Sequence, residues 1–334
     1  MPQNRRITMS DVAREADVSL MTVSRVVNEK DGIREETRQR VQEVIERLGY
    51  RPSNLARGLA TMKTGTIGLV VPDNANPYFS EVARGIEHLA YDNGYTVFLC
   101  NTEENIAREN HVLRLLDEYH VDGVILCSPR LEDADLHEAI TRQPATVLVN
   151  RPLHNSQVAS VMIDAQLGGQ LIATHLLENG HKKIGIIAGP RTSLSGRDRL
   201  NSYVKTIQNY GIEQPEERII YCSPTTQGGT SAARQLLQSC PDLTALICFN
   251  DLVAVGALQA CKQLGIRVPG DVAVTGFDDI PMSAFVTPSL TTCHVHRHEL
   301  GRRAMQLLLN LMTGEEDETN IVLKPQLVIR DSSP

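Results

Sequence analysis

From Ile7 to Leu48 the apolar residues fall into three short helical periods joined by very short connections. A chain that begins this way can bury its apolar faces only by stacking the three helices on one another. Ser10 can cap a first helix whose inward positions are Val12, Ala13 and Ala16, and Asp17-Val18-Ser19 makes a tight turn in which Ser19 can cap a second. A third helix, from about Arg34 to Leu48, repeats Val41, Val44, Ile45 and Leu48 and stops at Gly49, a residue suited to a left-handed cap. The first two helices, meeting across so tight a turn, make a helix-turn-helix.

In that geometry the first residues of the second helix and the residue one turn further on point into a DNA major groove, here Leu20, Met21 and Arg25. Val23, Val26 and Val27 are left for the core. The planar fork of Arg25 can donate two hydrogen bonds to O6 and N7 of guanine, whereas Leu20 and Met21 offer only apolar contact, as to a thymine methyl. Pro52 then pre-sets the entry to residues 53–60, about two turns, too short for a stable helix alone in water. Gly58 costs that helix about 1 kcal/mol relative to alanine, so it should fold only against a partner.

Overall charge conceals a division. Residues 1–63 carry 12 Lys and Arg against 9 Asp and Glu, while the remainder carries 21 against 31, so only the first segment attracts a polyanion. The 334 residues allow one small domain and a large one that divides in two. Seven cysteines, scattered without paired spacing and mostly beside apolar runs, read as reduced core residues of a cytoplasmic protein. Arg5 and Arg6 lead into an amphipathic helix and not into an apolar stretch, and no run approaches membrane-spanning length, so neither a secretory signal nor a membrane partner is expected.

From Thr66 onward short apolar runs alternate with helical periods, the pattern of parallel sheets built from βαβ units. Strands are expected at 67–71, 96–100, 123–127, 146–149, 158–163, 184–188, 219–222, 245–249 and 272–275. Between the first two, Asn76 can cap a helix from Pro77 to Asp92 with Phe79, Val82, Ile86 and Leu89 along one stripe. In open α/β sheets ligands bind beyond the carboxyl ends of the strands, and the residues there are unusually polar: Asp73 to Phe79, Ser128, Asn150-Arg151, Asp164, Pro190 to Arg199, Asn250-Asp251 and Phe277-Asp278-Asp279. No dinucleotide glycine pattern and no P-loop pattern follows any of these strands, and no nucleophile, base and orienting group stand together, which argues against a nucleotide-dependent enzyme.

These features together resemble the lactose-repressor/galactose-repressor (LacI/GalR) family of bacterial transcription regulators, on Ile7 to Asn28, on Tyr50-Arg51-Pro52-Ser53-Asn54-Leu55-Ala56-Arg57-Gly58-Leu59 and on the two-part body, over nearly the whole length. The resemblance implies an α/β chain: a three-helix helix-turn-helix domain (1–50), a hinge helix and linker (51–64), and a two-lobed periplasmic-binding-protein-like core (65–334) of doubly wound parallel sheets. One lobe is expected at about 65–162 and 295–322, the other at about 163–294 and 323–334. It implies DNA backbone contacts from Thr8, Ser19, Thr22, Ser24, Tyr50 and Asn54. In the minor groove it implies Leu55, Ala56, Arg57 and Leu59, the last levered between two base pairs as an apolar wedge that kinks the duplex.

For the cleft between lobes the resemblance implies effector contacts from Tyr78, Phe79, Ser128, Asp164, Ser193, Ser195, Arg199, Asn250 and Asp278, a mix of stacking surface and charge-assisted hydrogen bonding suited to a sugar or related metabolite. Phe79 is equally a core residue, Asp164 equally a helix cap, and Asp251 better suited to capping than to ligand. Arg199 and Asp278 are expected in loops at the ligand-facing strand ends. Leu20 and Met21 depart from the polar pair that many members carry at the first two reading positions, and the loop from Arg191 to Arg197 matches no effector class.

His294, His296 and His298 would share one face of an extended chain, but here the family has a crossover strand leading into a helix, from about His298 to Thr313 with Leu300, Ala304, Leu307, Leu308 and Leu311 inward. Neither metal nor cofactor is therefore expected. The expected function is an effector-controlled repressor, with a solute-binding receptor as the alternative. The reader covers only half of a palindromic operator, which implies a homodimer, and with no leucine heptads near Asp331-Ser332-Ser333-Pro334 a tetramer is not expected.

Overall fold

The computed structural model describes residues 7–28, 31–50, 63–153, 158–315 and 319–334, in two compact units, Met1–Gly65 and Thr66–Pro334. The expected hinge, with Asn54, Leu55, Ala56, Arg57 and Leu59, lies outside the described residues.

In the first unit α1 (Met9–Glu15), α2 (Leu20–Val27) and α3 (Glu35–Leu48) pack around Val12, Val23 and Val41, joined by Ala13, Ala16, Val26, Val44 and Tyr50. The cap of α1 is Thr8 and not Ser10. Its hydroxyl accepts from Asp11 N (3.3 Å) while the Asp11 carboxylate accepts from Thr8 N (3.0 Å), a reciprocal arrangement that Ser10, already inside the helix, cannot make. Ser19 caps α2 as expected, accepting from Thr22 N at 3.1 Å. Gly49 ends α3 at φ 62, and the bond from Tyr50 N to Ile45 O (3.0 Å) closes the last turn and draws the Tyr50 ring under the bundle.

The second unit contains a six-stranded parallel sheet in the order β11, β5, β4, β3, β1, β2 and a four-stranded one in the order β7, β6, β8, β9. Their strands are β1 (Thr66–Val71), β2 (Thr96–Asn101), β3 (Gly123–Cys127), β4 (Thr146–Val149), β5 (Ala159–Ile163), β6 (Ile184–Ala188), β7 (Ile219–Tyr221), β8 (Ala245–Cys248), β9 (Ala273–Thr275) and β11 (Asn320–Leu323). The bounds of β1 to β9 differ from the sequence expectation by at most a residue at either end, and β11 was not among the expected strands. A separate antiparallel pair joins β10 (Thr292–His294) to β12 (Gln326–Val328).

Helices cover the sheets: α4 (Pro77–Asp92), α5 (Ile106–Glu118) and α6 (Asp133–Thr141) follow the first three strands, and α7 (Ala165–Glu178), α8 (Leu194–Asn209), α9 (Thr226–Ser239) and α10 (Asp251–Leu264) belong to the other half. After the short α11 (Met282–Phe285), α12 (Arg297–Thr313) returns against α4 and the first sheet. That contact is close enough to require glycine: a Cβ on Gly301 would stand 2.0 Å from Val82 O, and one on Gly85 2.1 Å from His298 O. In α12 Leu300, Ala304, Leu307 and Leu308 are buried as expected, but Leu311 is exposed.

The chain passes between the sheets around Asp164, around His296 and between Leu323 and Gln326. At the second passage the rings of His294 and His296 stay edge to face, 4.9 Å between centres, while His298 turns away to another partner. His294 Nδ1 meets Asp279 Oδ2 at 2.9 Å, His296 becomes the residue before α12, and the His298 ring lies against His88 at 3.3 Å between nitrogens. The seven cysteines are free, and among the described residues no helix is long and apolar enough to cross a membrane.

Candidate functional site

The carboxyl ends of both sheets face one cavity lined by Asp73, Tyr78, Phe79, Glu104, Ser128, Arg130, Asn150, Ser193, Ser195, Arg199, Phe249, Asn250, Phe277 and Asp278, among others. Backbone strain concentrates here. Ser128 (φ 48), Asn150 (φ 55) and Asp278 (φ 112) follow β3, β4 and β9 in conformations that non-glycine residues avoid, and such strain persists only where its surroundings over-determine it.

On the first-sheet side Asn150 is the organising side chain. Its Nδ2 donates to the Tyr78 hydroxyl and its Oδ1 accepts from Ile163 N at 3.0 Å, linking the aromatic wall to the first crossover. Burial pushes the Tyr78 hydroxyl well above the usual phenol range, so it stays protonated. Arg130, itself buried, donates to Ser128 O (2.8 Å) and grips Glu104 through Nε and Nη2, while its backbone N–H is held by the buried Glu109 at 2.9 Å. Its charge is thus committed within the protein.

The opposite side differs. Arg199 lies with its guanidinium 4.2 Å from the Phe277 ring centre and 4.6 Å from that of Phe249, and among the described residues its side chain makes one hydrogen bond, from Nε to Ser195 O at 3.4 Å. Asp278 is buried and, among the described residues, no side-chain or backbone donor reaches its carboxylate. Burial pushes its pKa up to about 8 although Arg199 pulls the other way. Its neighbour Asp279 is fixed instead by Arg330 Nη2 (2.7 Å) and by His294, which hold its carboxyl below the usual range against the effect of burial. Near Arg199, the hydroxyl of Tyr203 is buried without a hydrogen-bond partner among the described residues.

Of the nine effector residues expected from sequence, eight line this cavity. Asp164 does not: its carboxylate caps α7, accepting from Leu167 N at 2.8 Å. Arg199 arrives from within α8 and not from a loop, because Ser193 caps that helix early and its second turn carries Arg199 to the cleft. Asn250 lines the cavity and also caps α10, accepting from Val253 N at 2.9 Å. Asp251, expected as a cap, is neither cap nor cavity residue. Its buried carboxylate accepts from Ile280 N (2.8 Å), Ser283 Oγ (2.7 Å) and Thr292 Oγ1, and burial raises its pKa to about 6. Glu104, Arg130 and Phe249 were missed, although the first two follow β2 and β3 at the same strand edge that pointed to the others.

In the first unit Leu20 (51 % exposed) and Met21 (71 % exposed) stand at the start of α2 with Arg25 exposed one turn on, while Val23 and Val26 are buried. The hydroxyls expected on DNA phosphates are engaged locally: Thr8 Oγ1 donates to Asp11 (2.7 Å), Ser19 and Thr22 share a bond of 2.9 Å, and Ser24 Oγ accepts from Asn28 Nδ2 at 3.4 Å. Tyr50 is largely buried in the bundle.

Comparison with known proteins joins the two units. Residues 8–53 match the model of bacterial regulatory proteins of the lacI family, and residues 64–330 that of periplasmic binding proteins and the sugar binding domain of the LacI family. The chain is 35 % identical over 329 residues, 97 % of its length and 98 % of the relative's, to the HTH-type transcriptional repressor PurR of Aliivibrio salmonicida. It is equally similar to that of Photobacterium profundum, 35 % over 329 residues. Among solved structures it resembles the Lac repressor dimer bound to operator and the anti-inducer ONPF, with TM-score 0.87, 28 % identity, and coverage of 98 % of this chain and 99 % of that one. The CelR–cellobiose complex matches with TM-score 0.74 and 32 % identity over 98 % of this chain and all of that one. A DNA-reading bundle and an effector-binding α/β core thus occur in one chain, which argues against a solute receptor without DNA function: the chain belongs to the LacI family of DNA-binding transcriptional regulators.

Proposed function

We propose that this regulator is a repressor whose hold on a pseudo-palindromic operator is controlled by an uncharged polyol, a sugar or close relative, bound in the cleft, and that it catalyses no reaction. The observation that carries this reading is the unpaired state of Arg199 and Asp278 within one cavity. A desolvated carboxylate and a guanidinium left without fixed partners suit a ligand whose hydroxyls both donate and accept, and the flanking aromatic rings suit its apolar face. A phosphorylated ligand suits the cleft less, because Arg130 is committed to Glu104 and the Asp73 carboxylate would face the added negative charge. Cellobiose in the CelR complex supports a carbohydrate.

Arg25 reads guanine and Leu20 and Met21 the neighbouring bases, while Thr8, Ser19, Thr22 and Ser24 reach the phosphates by exchanging the local hydrogen bonds their hydroxyls make in the free protein. The core pairs with a second copy, for which Phe285 (85 % exposed) and the outer edge of β2, with Phe98 and Leu99 exposed, supply apolar surface. Effector binding selects one arrangement of the two halves of the core and so decides whether residues 51–60 of both copies order in the minor groove. A DNA partner places the protein in the cytoplasm. A thermal-shift screen of neutral sugars, sugar phosphates, nucleosides and purines tests the ligand class, because a bound ligand raises the melting temperature by mass action. Stabilisation by a sugar phosphate or a purine but by no neutral sugar would overturn the polyol assignment.

A further inference from the structure

The hydroxyls of α2 and its cap are partly engaged by their own helix. Ser19 Oγ accepts from Thr22 N and shares a bond with Thr22 Oγ1, and Ser24 Oγ accepts from Asn28 Nδ2 while Asn28 also donates to Ser24 O at 2.8 Å. What remains outward is Leu20, Met21 and, one turn on, Arg25. Two exposed hydrocarbon side chains of this size are left in water at a cost unless something apolar covers them on binding. On the floor of a major groove the exposed apolar group is the C5-methyl of a pyrimidine, since the other distinguishing features are hydrogen-bond donors and acceptors that Leu20 and Met21 cannot use.

We infer that this protein reads pyrimidine C5-methyl groups: Leu20 and Met21 favour thymine, and equally 5-methylcytosine, over uracil and unmethylated cytosine, while Arg25 supplies the bidentate hydrogen-bonded base contact of α2. The inference rests on the reading of α2 as the groove helix, and the two fail separately. Operator binding is consequently open to control by cytosine methylation at the positions that Leu20 and Met21 cover.

The test begins with a half-site selected from randomised duplexes by the full-length protein. Thymines within two base pairs of the guanine read by Arg25 are then replaced by deoxyuridine in both half-sites, and affinity is measured at fixed salt. Removal of one methyl per half-site is expected to weaken binding about four-fold per methyl, about 0.8 kcal/mol at about 1.4 kcal/mol per factor of ten, and so about sixteen-fold for the symmetric pair. Methylating cytosine at C5 at the same positions should strengthen binding by a similar factor. In the Leu20→Ala, Met21→Ala double variant both differences should vanish, while discrimination at the guanine persists. Equal affinity for thymine and uracil at every such position, or a difference that survives the double variant, overturns the inference; so does a selected half-site with no thymine there. If Arg25→Ala leaves site selection unchanged, the assignment of α2 to the groove falls with it.

Discussion

The reading bundle and the cleft handle their polar groups in opposite ways. In the bundle the hydroxyls of Thr8, Ser19 and Ser24 each take part in a hydrogen bond to a near neighbour in sequence, and the outward face of α2 offers the hydrocarbon of Leu20 and Met21 beside the guanidinium of Arg25. In the core Arg199 and Asp278 are buried among aromatic rings and left unpaired, which costs the fold but keeps strong donors and acceptors ready for a ligand. A duplex brings its own dense charge and ordered edges, so a reader need only be rigid and correctly shaped. A small uncharged ligand brings little binding energy of its own, so its site must hold groups that gain on contact.

The largest effect should come from removing the unpaired charges. Arg199→Ala is expected to weaken effector binding by about 1.5–3 kcal/mol, the value of a hydrogen bond to a charged group, while leaving operator binding without effector intact. Asp278→Asn should likewise lose effector response yet raise the melting temperature at pH 8, because it removes a desolvated carboxylate. A melting temperature that falls instead would mean that the carboxylate is paired within the fold, and the contrast between the regions would disappear.

Arg25→Ala tests the other side. Discrimination between operator and scrambled duplex should drop by about 1–3 kcal/mol per half-site, with non-specific, salt-sensitive binding retained; unchanged discrimination removes Arg25 from its assigned role. Thr8→Ala should destabilise the bundle by about 1 kcal/mol through loss of its cap, seen in a separate early melting step that leaves the core transition in place.

Stability and effector binding should also depend on pH. Asp278 is held above its unfolded value, so its contribution to stability is fully present below the ordinary aspartate range and is lost as pH rises through about 8. Polyol hydroxyls donating to the carboxylate favour its charged form, so effector affinity should rise over the same interval. Titration calorimetry at several pH values checks this, and in Asp278→Asn the slope should be absent.

Much of this organisation was legible in the residues. Strand runs such as Gly123–Cys127 and Ile184–Ala188 appeared at their observed bounds, because buried parallel strands are continuous apolar stretches closed by polar residues. The cleft residues Tyr78, Ser128 and Asp278 were found by the same boundary rule. Asp164, Asp251 and Arg199 were placed less well, since a carboxylate beside a helix start reads alike whether it caps, ties loops together or meets ligand. Which one it does depends on donors far away in sequence, as with Thr292 and Ser283 on Asp251.

By itself, then, the sequence determined the helical bundle, the alternation that forces two parallel sheets, and the exposed row of Leu20, Met21 and Arg25 on α2, because each follows from contacts between near neighbours and from a period of 3.6 or 2. Only the tertiary structure decided that Arg130 is neutralised by Glu104, that Asn150 ties Tyr78 to the crossover, and that among the described residues no donor reaches the buried Asp278 carboxylate. Those outcomes depend on how strands distant in the chain are ordered across a sheet, and no local pattern of residues encodes which charges that ordering brings within reach of one another.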